Sequence, residues 1–203
     1  MPAYKQVILM LALFLLLLAG CTAKVEEETI TDSYTPYELP IINKPNEDLL
    51  VVPLRSDGML RDTEQYLAGS LLVVEPKYEA QIYRRGDVVY YKTPAADLEF
   101  DIARIIGLPG EVVRIKQSKI YIDGMRLDAF YGQEAFGLQG VKSPEMINME
   151  LTLPEEHYFL LGDLWWRSFY SSIVQGPVSE SAIQGQVVAW TGRNQISTVH
   201  PQR

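Results

Sequence analysis

From residue 49 onward, short apolar runs alternate with turn signals. Leu49-Leu50-Val51-Val52 is one such run, and Leu71-Leu72-Val73-Val74 is a second that ends at Pro76. Gly86-Asp87 opens into Val88-Val89-Tyr90-Tyr91, and residues 102–106 run into Gly107-Leu108-Pro109-Gly110. Val112-Val113-Arg114-Ile115 and Lys119-Ile120-Tyr121-Ile122 follow, with Asp123-Gly124 as a tight-turn signal after the second. Tyr158-Phe159-Leu160-Leu161 and Val187-Val188-Ala189-Trp190 complete the set. Runs of four or five β-branched and aromatic residues between turns predict a mainly β domain, barrel or sandwich, over residues 49–195. A short helix is expected over 59–67 or 179–183. Residues 128–157 carry a weaker pattern with more Gly, Gln and Glu, and read as a β-rich insertion. Residues 196–203 read as a tail. Gly107, Gly110 and Gly124 are read as positions that need freedom in φ, and Pro109 as fixing φ between them.

The N-terminal pattern is different. Lys5 is followed by an apolar run of 12 residues, 7–18, and then Ala19-Gly20-Cys21. That run suits the core of a signal peptide and falls short of the ~20 residues of a membrane span. Leu18-Ala19-Gly20-Cys21 resembles the lipobox of bacterial lipoproteins, in which a peptidase cuts before a cysteine that carries a diacylglycerol. The resemblance implies a signal peptide over 1–20, lipidation at Cys21 and a membrane partner through that anchor. It places the domain at the extracytoplasmic face of the cell membrane, because multiple acyl chains hold a protein firmly at a bilayer. An uncleaved N-terminal helix is the competing reading. Residues 22–48 contain Glu26-Glu27-Glu28 with Pro36, Pro40 and Pro45, and read as an acidic, solvated linker.

Composition removes several function classes. The net charge of −8 disfavours a nucleic-acid partner, which needs clustered Lys and Arg. A single cysteine forbids an internal disulfide. With only His157 and His200 besides, a zinc site of the usual kind is not expected, nor is any other metal or cofactor.

Four segments, in order, resemble the type I signal peptidase family. They are VPLRSDGM (residues 52–59), RRGDVVYYKTP (84–94), ARIIGLPGEVVRIKQSKIYIDG (103–124) and LLGDLWWRSFYSSIVQGPV (160–178). The third is the most specific, with Arg104, Gly107-Leu108-Pro109-Gly110 and Asp123-Gly124 all in place. The resemblance implies a signal-peptidase-like β domain. It also implies a serine peptidase in which a neutral lysine takes the proton of a serine that attacks a secretory precursor.

Both groups are missing from the matching positions. The serine directly before Met59 is Gly58, and the lysine directly before Arg104 is Ala103. Arg104 cannot replace the base, because its guanidinium stays protonated and its side chain leaves the opposite face of the strand. The usual Asn-Arg and Asp-Ser-Arg are replaced by Leu164-Trp165 and Tyr170-Ser171-Ser172. This suggests that the charged network behind the site is gone. The expected protein is a membrane-anchored pseudopeptidase with no catalytic residue. Its partner is expected to be a secretory precursor peptide or another membrane or secreted protein. Candidate peptide contacts are Ser56, Met59, Ile102, Arg104 and Ser171. One alternative is an active peptidase using Ser56 with an unidentified base, for which Lys92 and Lys116 are candidates. Another is a structural lipoprotein that presents Trp165 and Trp166 to a partner.

Overall fold

Pairing of the short runs decides the architecture. The computed structural model describes residues 27–94, 98–132, 147–168 and 170–193. The strands are β1 Thr29–Thr31, β2 Leu50–Pro53, β3 Ser70–Pro76, β4 Val88–Lys92, β5 Phe100–Gly107, β6 Val112–Lys116, β7 Lys119–Ile122, β8 Met125–Asp128, β9 Met149–Thr152, β10 His157–Leu161, β11 Val178–Ser179 and β12 Ile183–Arg193. The fold is mainly β, as expected. A seven-stranded sheet with the order β11-β10-β5-β4-β12-β3-β2 curls into a half-barrel. Register shifts in the long β12, between Val187 and Ala189 and between Trp190 and Gly192, bend the strand where the sheet curls. A second sheet has the order β1-β8-β7-β6-β9.

Among the described residues helical structure is limited to short pieces. The expected helix over 59–67 is a single 3-10 turn, Glu64–Tyr66, and that over 179–183 is another, Glu180–Ala182. One α-helix, α1, spans Ser172–Gln175. In the 128–157 insertion, β9 adds to β6 with Val113 opposite Leu151. Residues 133–146 lie outside the described part.

The glycines separate into two roles. Asp123 and Gly124 both have positive φ, +50° and +86°, and make the expected tight turn from β7 to β8. Gly107 is different: it is not a positive-φ residue. A Cβ there would lie 2.5 Å from Val113 Cγ2 and 2.7 Å from Leu153 Cδ1, so the requirement is space for packing.

Residues 27–48, expected as a solvated spacer, lie on the domain instead. β1 pairs in parallel with β8. The Asp32 carboxylate accepts from the Tyr34 N–H at 2.8 Å, the Thr35 N–H at 3.0 Å, the Thr35 hydroxyl and the Tyr131 hydroxyl at 2.6 Å. The Gln65 amide accepts from Leu39 N–H at 2.6 Å and donates to its carbonyl at 3.0 Å. Trp190 donates to Pro40 O and accepts from Ile42 N–H, each at 3.0 Å. Prolines hold the segment extended, so its backbone groups are presented for pairing at low entropic cost. Residues 1–26, with Cys21 and the lipobox-like stretch, lie outside the described part. Among the described residues no helix is long and apolar enough to cross a membrane.

Candidate functional site

Strand β5 carries the site, because its alternation sorts side chains to two faces. Asp101, Ala103 and Ile105 share one face, while Ile102, Arg104 and Ile106 share the other. Ala103 is buried in an apolar cluster with Tyr83, Val89, Tyr91, Ile105, Tyr158, Leu160 and Ile183. Tyr91, on the neighbouring strand, packs on this same face and donates its hydroxyl to Tyr170 O at 2.8 Å. Position 103 is therefore a methyl group in a filled core.

Gly58 is equally enclosed. Its carbonyl accepts from Leu164 N–H at 2.8 Å. A Cβ on Gly58 would meet Ser168 Cα at 3.2 Å and its Oγ at 3.3 Å. The Ser168 hydroxyl in turn accepts from Gly162 N–H at 3.0 Å. Gly58, Gly162 and Ser168 thus interlock at close range.

On the opposite face Arg104 is 2 % exposed and makes a two-pronged pair with Asp163. Nε and Nη2 donate to the two carboxylate oxygens at 2.7 Å each, and Nη1 donates to Gly86 O at 2.7 Å. Arg61 Nε lies 3.1 Å from the same carboxylate. The guanidinium of Arg61 stacks on Tyr66, Tyr37 and Phe130, and that of Arg104 on Phe130 and Tyr131. Asp163 raises the Arg104 pKa further against the opposing cost of burial. The expectation that the charged network had been lost is corrected here. Asp163 and Arg104 remain, and Arg61 supplies a second cation with aromatic faces spreading its charge. No local pattern in the sequence pairs Arg61 with a residue a hundred positions later.

Of the candidate peptide contacts, the fold brings one to an open surface. Ser56 lines a cavity of about 430 Å³ with Arg55, Asp57, Ala68, Leu98, Asp101, Arg167 and Tyr170. Its hydroxyl donates to Asp101 Oδ1 at 2.7 Å. Burial pushes the Asp101 carboxyl up from the usual carboxylate range, against the lowering effect of the Ser56 hydroxyl and Ile102 N–H. Met59, Ile102 and Arg104 are buried in the core and do not line this cavity. Ser171 is also fully buried, at the N-cap of α1. Lys92 is exposed beside Glu99, and Lys116 ends β6 in the other sheet, so neither reaches Ser56. Sequence reasoning missed Asp101, although a residue two before Ala103 on a strand shares its face. Trp165 is core, donating to Tyr131 O at 3.4 Å. The Trp166 side chain and His200 lie outside the described part.

The cavity continues along two strand edges. Val52, Pro53, Arg55, Tyr90, Leu98, Glu99 and Phe100 line an adjoining space of about 270 Å³. β2 ends its sheet, and β10 engages β5 only over residues 104–107. Among the described residues, positions 100–103 of β5 therefore pair with β4 alone. Among the described residues, two unpaired edges border the cleft that contains Ser56 and Asp101.

A family model described as "Signal peptidase, peptidase S26" matches residues 51–191. Signal peptidase I of Bacillus licheniformis is 28% identical over 146 residues, covering 68% of this chain and 73% of the relative. Signal peptidase I V of Bacillus subtilis is 29% identical over 150 residues, covering 70% and 86%. A crystal structure of a signal peptidase I from Enterococcus faecalis aligns at 27% identity and a TM-score of 0.44 with 53% of this chain and 97% of that one. The match spans every element that builds the cleft, and the chain belongs to the signal peptidase S26 family.

Proposed function

We propose that this protein is a signal peptidase I-like lipoprotein that binds extended peptides without cleaving them. In this reading it is anchored through Cys21 at the extracytoplasmic face of the membrane. One observation carries the reading. Among the described residues the edges of β2 and β5 bordering an open cleft are unpaired, while the positions matching nucleophile and base are a buried glycine and a buried alanine. A free strand edge takes a peptide through backbone hydrogen bonds, which need no dyad. Its natural ligand class is the extended segment of a secretory precursor. The test is hydrogen exchange on the full chain with and without a precursor peptide. Protection is expected over residues 52–56 and 100–103. Binding that protects other segments and leaves these unchanged would count against the cleft.

A second reading rests on the Ser56–Asp101 hydrogen bond. The carboxylate is a candidate base for an active Ser56, and its burial raises its basicity. A carboxylate remains a weak base for an alcohol. Cleavage of precursor peptide that disappears in Ser56→Ala would favour this reading over binding alone.

A further inference from the structure

Residues 32–42 cross the domain as a strap, and their fastening differs from that of a core strand. Over 39–42 the strap is gripped by its backbone. The Gln65 amide takes the Leu39 N–H and C=O, and the Trp190 backbone takes Pro40 O and the Ile42 N–H. Leu39 is half-buried, whereas Glu38, Pro40 and Ile41 are exposed. Beneath the strap lies a cavity of about 370 Å³. Thr35, Pro36 and Leu39 line it from the strap, and Tyr66, Val88 and Val187 from the domain. A segment that roofs a cavity gives up few packing contacts when it lifts, so it opens more readily than the strands it lies on.

The floor of that cavity is the back of the peptide cleft. Tyr66, Val88 and Val187 belong to one buried cluster with Leu54, Met59 and Ile102. Leu39 and Trp190 pack against this cluster, and so do Val52 and Tyr90. Val52 and Tyr90 are also walls of the cleft. Val88 and Tyr90 lie two apart on β4 and share a face, so one strand serves both spaces. Among the described residues none lines both the strap cavity and the cleft. Any influence of one on the other therefore passes through the cluster, whose close packing transmits a shift from side to side.

Resting on the peptide-binding reading above, we infer that the strap is a conformational control on the cleft: peptide binds the form with the strap seated, and lifting the strap weakens binding. Two states differ in named contacts. With the strap seated, Leu39 and Trp190 close the back of the cluster and steady Val52 and Tyr90 at its front. With the strap lifted those contacts are gone, and an incoming peptide must order the cleft wall itself. Linkage makes the effect reciprocal. Peptide in the cleft holds the strap down by the same factor by which the seated strap tightens the peptide.

The experiment is residue-resolved amide exchange on the full chain, with and without a saturating secretory-precursor peptide. The Leu39, Ile42 and Trp190 amides each donate across the strap contact, so their exchange reads its lifting. Peptide is expected to slow all three by about fivefold or more, the lower end of a typical coupling between sites. Gln65→Ala removes both bonds to Leu39. It is expected to speed the Ile42 amide about tenfold in the absence of peptide, with peptide slowing it again and an unfolding transition showing the variant folded. Protection of residues 52–56 and 100–103 with the three strap amides unchanged in wild type would overturn the inference and leave the cleft reading standing. Slower strap amides without protection in the cleft would put the peptide on the strap itself and overturn both. No change in either region would also overturn both.

Discussion

Asp101 holds a buried carboxylate with no salt bridge among the described residues. Its pKa is raised in the folded chain, chiefly by burial. A raised acid binds its proton more tightly when folded than when unfolded. Its favourable contribution is complete below the unfolded pKa of about 4 and is lost as pH rises through the folded value. Asp101→Asn keeps an acceptor for Ser56 and removes the buried charge. It should raise the melting temperature at pH 7 and leave it unchanged below about pH 4. A lower melting temperature at both pH values would show that the charge itself supports the fold. Asp163, by contrast, has ionic partners, sitting between two buried guanidinium groups. Asp163→Ala should cost about 3–5 kcal/mol in urea unfolding, because removing one partner of a buried pair leaves the other uncompensated. A loss below about 1 kcal/mol would mean that the aromatic faces around Arg61 and Arg104 suffice without the carboxylate. Ala103→Lys should also destabilise, by about 1–3 kcal/mol from overpacking among Tyr91, Tyr158 and Leu160. For the same reason the pair Gly58→Ser with Ala103→Lys should gain no peptidase activity. Turnover by that double variant would show that the core has room for a dyad.

At the scale of elements, the N-terminal segment behaves as part of the domain. Gly86 has φ +90°, and a Cβ on it would lie 1.9 Å from Thr35 Oγ1 and 2.5 Å from Asp32 Oδ2. Gly86→Ala should therefore lift residues 32–35 and open early proteolytic cleavage within 27–48, read by mass spectrometry of limited digests. Unchanged protection of that segment would mean that β1 and the Trp190 pairing hold it without the Asp32 turn. Strands β2 to β7, β10 and β12 were legible in the sequence, because each contains a largely apolar or β-branched run near turn residues, whereas the short β1, β8, β9 and β11 were not. The Asp123-Gly124 turn was legible for the same local reason. The turn at Gln117 and Ser118 was not, since it places two residues without glycine's freedom at φ +49° and +58°. Nor was the docking of residues 27–48, whose acidic, proline-spaced composition is that of a linker. Its contacts are backbone pairings and a few long-range polar bonds, which leave no periodic trace.

For the whole molecule, the sheet order matters more than any single residue. β5 pairs with β4 over residues 100–104 and with β10 over 104–107, so among the described residues one edge stays open beside Ser56. The family resemblance pointed to this region through Gly58, Ala103 and the Gly-Leu-Pro-Gly turn, all local features. It did not show which neighbours are accessible. Met59, Ile102 and Arg104 are adjacent in sequence to Gly58 and Ala103, yet they face the core, and the chemistry lining the cavity is Ser56, Asp101, Arg55 and Arg167. Side-chain direction and burial depend on partners distant in sequence, such as Arg61 with Asp163. The most direct test combines both halves of the proposal in one sample. The full chain is titrated with a labelled secretory precursor peptide, and the same solutions are analysed for product by mass spectrometry from pH 4 to 8. The account predicts saturable one-to-one binding and intact peptide at every pH. Product formation that follows protein concentration and vanishes in Ser56→Ala would contradict it and make this a working peptidase with a serine–carboxylate pair.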